Sequence, residues 1–324
     1  MSTSFSELSY ADAGFAFTSF LSILGTTMVK LFGEESLAAE YLGEMRDSGG
    51  FCVILVSEEG AGSELGRTET TYAQKGENLV LNGDKYFSTN TDAAGFLLIA
   101  ARSADDPSAH SVVLVPRGTK GIDIVKRWDM HGMRGSGTYQ VRLRDCAVPA
   151  HHALAGNGLR ILEAGLNASR TLIAATAIGV SRRIRDLSME YAAGKQVKGA
   201  RLIDNAVFAS KLGQIEMLID VMRNQCLAAA AHYDALLASE NPAASLYRTG
   251  AMRPALAAKM YCGQAGWSVA TIGSEMFGGL GYTNEHLITK LVRDLRYVGL
   301  VEGGGDVVRD LIFSRGDLLC LRRS

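Results

Sequence analysis

The sequence predicts an α+β protein in three regions: a short helical segment (1–49), a mainly antiparallel sheet (50–153) and a four-helix bundle (154–324). Three observations carry this reading. Short runs rich in Val, Leu, Ile, Thr and aromatic residues fill the middle region. After Gly156 the apolar positions step by three, four or seven, the period of a helix face. Ahead of both lie shorter helical patterns with acidic residues early in the second of them, where a helix N-terminus favours negative charge.

In the first region Ala11, Phe15, Thr18 and Leu21 are spaced to share one helical face, and GEESLAAEYLGEM begins a second short helix. In the middle region FCVILVS, NLVLNG, FLLIAARS, HSVVLVP and TYQVRLRD read as strands. Lys75-Gly76 and Asn82-Gly83 read as two hairpin turns, since Asn-Gly suits turns in which both residues take positive φ. In the last region Leu159, Leu162, Leu166, Ile173, Ala177, Val180, Ile184, Leu187 and Tyr191 form one stripe, and Phe208 to Leu236 repeat it. Further helical runs span about 250–277 and 303–320. Four such helices imply an antiparallel bundle, with the stripes as core rather than cofactor contacts.

With 324 residues and 47% hydrophobic content the chain can bury several packed layers. Thirty-three basic and 34 acidic side chains leave a net charge of -1, so no global field attracts nucleic acid or an anionic membrane. Cys52, Cys146, Cys226, Cys262 and Cys320 are scattered and odd in number, which suggests neither a disulfide framework nor a zinc site. The histidines, including His151-His152, lack metal-site spacing, so no metal is expected. The start of the chain has no basic segment or cleavage signal and no uninterrupted apolar run reaches about 20 residues. A soluble, cytoplasmic protein without nucleic-acid or membrane partners is expected.

Four segments, SEEGAGSEL (57–65), NGDKYFSTN (82–90), FGGLGYTNEHLITKLVRDLR (277–296) and LVEGGGDVVRDLI (300–312), resemble those of the acyl-CoA dehydrogenase family in order and spacing. GMRGSGTYQVRLRDCAVP (132–149) and SRTLIAATAIG (169–179) extend the likeness over nearly the whole chain. The resemblance implies N-terminal helices, a middle antiparallel β-barrel-like domain and a C-terminal four-helix bundle, with FAD between the last two. It implies flavin-dependent α,β-dehydrogenation of an acyl thioester, either an acyl-CoA or an acyl group on a carrier protein. An electron-transfer flavoprotein or oxygen would accept the electrons, in a homo-oligomer (dimer or tetramer) or a heteromer with a paralogue. Set against the family, the chain starts among its later N-terminal helices, so a shortened helical domain is expected. Two alternatives follow on the same fold: a half-active or non-catalytic subunit of a heteromer, and a flavin monooxygenase, which a retained Glu302 disfavours.

Through the resemblance Glu302 is the catalytic base. It would take the α-proton of the thioester while hydride leaves the β-carbon, its basicity raised by its apolar neighbours Leu300 and Val301. On the sequence alone a helix N-terminal acid favoured by the dipole is the better reading of Glu302; the family match makes the catalytic reading the stronger one. Val56, Ser57, Gly62 and Ser63 fall where the family meets flavin and pantetheine; Phe87, Ser88 and Thr89 fall against the flavin ring, with Phe87 and Thr89 on one strand face by alternation. Arg170 matches an arginine near the acyl thioester, and Phe20 matches the floor of the acyl pocket, which points to a short acyl group. Arg182, Arg183 and Arg185 offer a basic cluster for a coenzyme A phosphate or a carrier protein, or a solvated helix face. Arg293 and Asp294 match a family ion pair.

The adenosine side departs from the family pattern. Lys195, Lys198, Ala206, Glu275, Gly304 and Asp306 stand where other residues are usual, and Gly279 lies in the adjoining FGG turn. Glu275 and Asp306 add negative charge near a pyrophosphate. At an effective dielectric of about 20 a like-charge contact near 5 Å costs roughly 3 kcal/mol, so FAD is expected to be held weakly, with another subunit's help, or not at all unless Lys195 and Lys198 offset the cost.

Overall fold

The computed structural model describes residues 2–248 and 250–315. Three helices come first, α1 (Ser2–Ala11), α2 (Ala13–Phe32) and α3 (Glu35–Ser48). Asp12 separates α1 from α2 and caps the latter, its side chain accepting from the Phe15 amide. That break resets the helical phase. The buried face of α2 is Ala13, Phe17, Phe20, Leu24 and Met28 rather than the face through Phe15, which is exposed. α2 is long and apolar enough to span a bilayer by length and composition, but its buried face belongs to cores shared with the sheet and the later helices.

The middle region contributes β1 (Phe51–Leu55), β2 (Thr71–Lys75), β3 (Asn78–Thr89), β4 (Ala94–Ser103), β5 (His110–Pro116), β6 (Ile122–Arg127) and β7 (Thr138–Pro149). They form one sheet in the order β1-β4-β2-β3-β7-β6, with β5 on β4. The pairing is mainly antiparallel, as expected, with β1 and β2 parallel to β4. The turn at Lys75-Gly76 joins β2 to β3, with Gly76 at φ 62°. Asn82-Gly83 is not a turn. β3 runs straight through it, and the register to β7 shifts between Leu81 and Gly83. Gly83 takes φ 155° there, pressed so close to Thr70 that a Cβ would meet that residue's backbone and side chain.

The C-terminal region begins with α4 (Gly158–Gly194), capped by Asn157 and buried almost all round from Asn167 to Ser181. Gly179 lets α1 lie against α4, since a Cβ there would strike the Ser6 carbonyl. A small hairpin, β8 (Gln196–Val197) and β9 (Ala200–Arg201), leads to α5 (Ala206–Leu237), capped by Asn205. After the short α6 (Pro242–Leu246) comes α7 (Arg253–Met276). The fourth bundle helix is α8 (Leu287–Val298), which packs Ile288, Leu291, Leu295 and Val298 into the core shared with α4, α5 and α7. The sequence reading placed that helix at 303–320. Residues 305–314 form only the short α9 (Gly305–Ser314), which rests on α7 through Val308, and the remainder of that span lies outside the described residues.

Candidate active site

The turn between α8 and α9 carries the residue on which the functional reading rests. Glu302 and Gly303 both take left-handed backbone conformations, at φ 53° and 101°. For a non-glycine residue this is a conformation that surrounding contacts must enforce. The contacts are present. The Leu300 and Val301 amides donate to the Tyr297 carbonyl at 2.9 and 3.0 Å, continuing α8 by a turn. Arg170 Nη2, from α4, donates to the Glu302 carbonyl at 3.3 Å, and Lys259 Nζ, from α7, donates to the Gly303 carbonyl. Ser169 Oγ donates to Glu302 Oε2 at 2.6 Å.

Glu302 is half-buried, and its carboxyl accepts from the fully buried Ser169. Burial pushes its pKa above the ordinary glutamate value, and Arg170, the Ser169 hydroxyl and Lys259 pull it only part of the way back. The expected shield is found only in part. Leu300 is 54% exposed, whereas Val301 packs against the bundle core and the half-buried Tyr297 lies near enough for the Glu302 charge to raise its phenol pKa further. Arg170 is 3% exposed, and its Nε and Nη1 are buried without a hydrogen-bond partner.

Phe20 is fully buried. Its ring meets Phe5 at 5.5 Å and Phe17 at 5.3 Å between centroids, both edge-on, and Phe17 meets Tyr297 at 4.8 Å. An aromatic chain therefore runs from α1 and α2 to the helix that presents Glu302.

On the sheet side, Val56 and Ser57 follow β1 and are half-buried, while Gly62 and Ser63 are exposed. A buried ion pair that motif reading missed holds this loop. Lys85 Nζ lies 2.6 Å from Glu58 Oε1 and also donates to the Val56 carbonyl at 3.1 Å. Glu58 further accepts from Thr68 Oγ1 and from the amides of Glu69 and Thr70. Burial pushes the Glu58 carboxyl up, but the Lys85 charge and these donors outweigh it and hold the pKa at about 2. For Lys85 burial is the stronger influence and lowers it to about 8, so we take the pair as charged at neutral pH.

Phe87 is 55% exposed and stacks near Trp128, centroids 5.0 Å apart, with Lys126 over the far ring system. Simple alternation does not place it. The register shifts between Lys85 and Ser88, and Phe87 sits at φ 54°, so Lys85 and Ser88 are both buried while Thr89 is half-buried and bonded to Thr138 at 3.2 Å. Ser88 Oγ and Trp128 Nε1 are buried without partners. An outward aromatic ring beside unpaired polar atoms fits a flat, hydrogen-bonding ring system such as a flavin. Gly62, Gly279 and Gly304 each have open space where a Cβ would stand.

The adenosine-side residues are scattered over the surface. Lys195 ends α4 and is exposed, and Lys198 sits at the tip of the β8–β9 hairpin with φ 51°. Neither offsets the added carboxylates. Glu275 pairs instead with Lys211 at 2.7 Å and Asp306 with Arg309 at 3.0 Å. The basic cluster is also engaged internally: Arg182 pairs with Glu7, Arg183 lies over the Tyr10 ring, and Arg185 pairs with Asp186 and Glu216. Arg293 and Asp294 do not pair with each other. Arg293 donates to Asn284, while Asp294 accepts from Lys290 and the Met133 amide and so ties α8 to the sheet region.

The chain matches the model of the acyl-CoA dehydrogenase middle domain over residues 53–146 and that of the C-terminal domain over 156–316. It is 30% identical over 264 residues to cyclohexane-1-carbonyl-CoA dehydrogenase of Syntrophus aciditrophicus (strain SB), a match covering 80% of this chain and 65% of that protein. It is 26% identical over 295 residues to an acyl-CoA dehydrogenase of Bacillus subtilis (strain 168), covering 89% of this chain and 74% of the relative. The fold superposes on butyryl-CoA dehydrogenase from Megasphaera elsdenii with a TM-score of 0.88 at 24% identity, covering 96% of this chain and 79% of that one. The chain belongs to the acyl-CoA dehydrogenase family.

The Lys85–Glu58 pair gives a prediction for the loop after β1. Lys85→Met leaves a buried carboxylate without its counter-charge and lowers the unfolding free energy by about 3–5 kcal/mol in urea titration. Adding Glu58→Gln recovers part of the loss. A drop below about 1 kcal/mol for Lys85→Met would mean the pair does not hold this loop.

Proposed function

We propose that the chain catalyses FAD-dependent α,β-dehydrogenation of a short acyl thioester, with Glu302 as the base. The observation that carries the proposal is the Glu302 carboxylate, held at one oxygen by Ser169, in a turn whose Glu302 carbonyl is held by Arg170 and whose Gly303 carbonyl is held by Lys259. The α-proton of a thioester is weakly acidic, and a carboxylate with a raised pKa is the better base for it. Ser169 occupies Oε2, so Oε1 receives the proton. The two unpartnered donors of Arg170 are available to the acyl group beside it.

Val56, Ser57, Gly62, Ser63, Phe87, Ser88 and Thr89 would hold the isoalloxazine end of FAD, with Lys195, Glu275, Gly279 and Gly304 toward its outer half. Bound there, FAD supplies the hydride acceptor. The local pairing of Glu275 and Asp306 with Lys211 and Arg309 reduces the repulsion expected at the outer half. The name of the relative at 30% identity favours a coenzyme A thioester over a carrier-bound one. Family membership supports an electron-transfer flavoprotein or oxygen as acceptor and an oligomeric assembly.

Phe20, closed in by Phe5 and Phe17, limits the acyl chain at the far end of the site. Phe20→Ala is expected to move the preference in kcat/KM toward longer acyl-CoA esters across a chain-length series; an unchanged profile would remove Phe20 from the pocket. The base is tested with purified protein carrying FAD. Short acyl-CoA bleaches the flavin absorbance of the native chain, and the rate falls on acidification at a pH above the usual glutamate range. Glu302→Gln retains the flavin and loses bleaching by at least about a thousandfold. A colourless native protein, or full-rate bleaching by the variant, overturns the proposal.

A further inference from the structure

Among the described residues Lys259 and Lys85 are the two largest charged side chains that are fully enclosed; Lys259 lies on α7 at 1% exposure. Buried lysines are rare unless paired with an acid. Lys85 has such a partner in Glu58, whereas among the described residues Lys259 has no carboxylate within ion-pair distance. Its hydrogen bond goes to a backbone carbonyl, that of Gly303. One residue earlier, Arg170 from the neighbouring helix takes the carbonyl of Glu302. Two enclosed cations on two bundle helices therefore grip consecutive carbonyls of the left-handed turn, and Ser169 grips the carboxyl itself.

We propose that Lys259 is a positioning residue for Glu302: with Arg170, its ammonium holds the Glu302–Gly303 turn against the bundle and so fixes where the Glu302 carboxyl sits. The catalytic consequence rests on Glu302 being the base; the positioning itself does not. An apolar side chain would fill the same place in the α7 core at lower desolvation cost, so the charge needs a task, and the turn is what it touches.

The groups around Glu302 fix the sign. Arg170 and Ser169 face it from α4, Lys259 from α7 and Tyr297 from α8, with Glu163 acting on Arg170. Burial raises the Glu302 pKa, and the two cations and the hydroxyl oppose that rise. Burial also lowers Lys259 to about 8, with Glu302 pulling it up and Arg170 pushing it further down. Removing the Lys259 charge takes away one of the opposing groups, so Glu302 holds its proton more tightly.

The test is a pH titration of the Glu302 carboxyl by infrared spectroscopy, its band assigned by its loss in Glu302→Gln. It needs no turnover, so its failure and that of the dehydrogenase reading are separable. Lys259→Met is expected to raise the midpoint by about one pH unit or more. Lys259→Gln keeps an amide donor near the Gly303 carbonyl but no charge, and is expected to raise it similarly. Lys259→Arg is expected to return it to within a few tenths of the native value. If Lys259→Met does not fold, the Gln and Arg variants make the same comparison. A Glu302 midpoint that is the same in the Gln and Arg variants as in the native chain overturns the proposal and leaves Lys259 a packing residue.

Discussion

The site depends on one backbone constraint, the left-handed turn at Glu302–Gly303. An L-residue held at positive φ carries a cost of about 1–2 kcal/mol, and the bundle offsets it with donors from two helices directed at consecutive carbonyls. The geometry explains why four helices converge there. α4 brings Ser169 and Arg170, α7 brings Lys259, α8 brings Tyr297 and the turn itself, and α9 begins immediately after it at Gly305. The carboxyl is thereby turned inward, where loss of water raises its proton affinity and the surrounding cations keep that rise in check.

A second buried charge contact holds the loop after β1. Glu58 and Lys85 join the loop after β1 to the bulged end of β3, two residues before Phe87. The two acids respond oppositely to pH. Glu58 is held at about 2, below its ordinary value, so its contribution to stability is full above the usual carboxylate range and is lost as pH falls toward 2. Glu302 has a raised pKa, so the folded state holds its proton the more tightly. Its contribution is full below the ordinary glutamate value and is lost as pH rises through the raised one. One acid anchors the loop through its charge; the other keeps a stability cost in its charged form, the form a base requires.

Much of this architecture was legible in the sequence where a periodic pattern and a cap agree. The stripes from Leu159 to Tyr191 and from Phe208 to Leu236 became α4 and α5, each starting at the asparagine that caps it. Legibility failed where a motif hid a period. Residues 287–298 were read as family signature, although Ile288, Leu291, Leu295 and Val298 carry a helical spacing. It failed again where a dipeptide rule met tertiary packing, as at Asn82-Gly83, whose glycine serves a close approach to Thr70 inside a continuous strand. Resemblance named Glu302 and Arg170, which the structure brings together, but it did not name Lys259, Lys85, Glu58 or Tyr297. A signal existed for the lysines. Lys259 falls four residues after Ala255 on the face of Ala258, Cys262 and Ala265, and Lys85 shares the inward parity of Leu79 and Leu81. A lone cation in an apolar pattern marks a buried charge; its partner is fixed only by the folded chain.

The most direct test of the central claim follows the proton rather than the electrons. Incubated with a short acyl-CoA in deuterated buffer, with turnover blocked by prior reduction of bound flavin, the native chain should wash deuterium into the α-carbon, read by mass spectrometry of the recovered thioester. Glu302→Gln should lose that exchange. Equal exchange in both proteins, or none in a native chain that binds the thioester, would contradict the account of Glu302 as a base aimed at the acyl group.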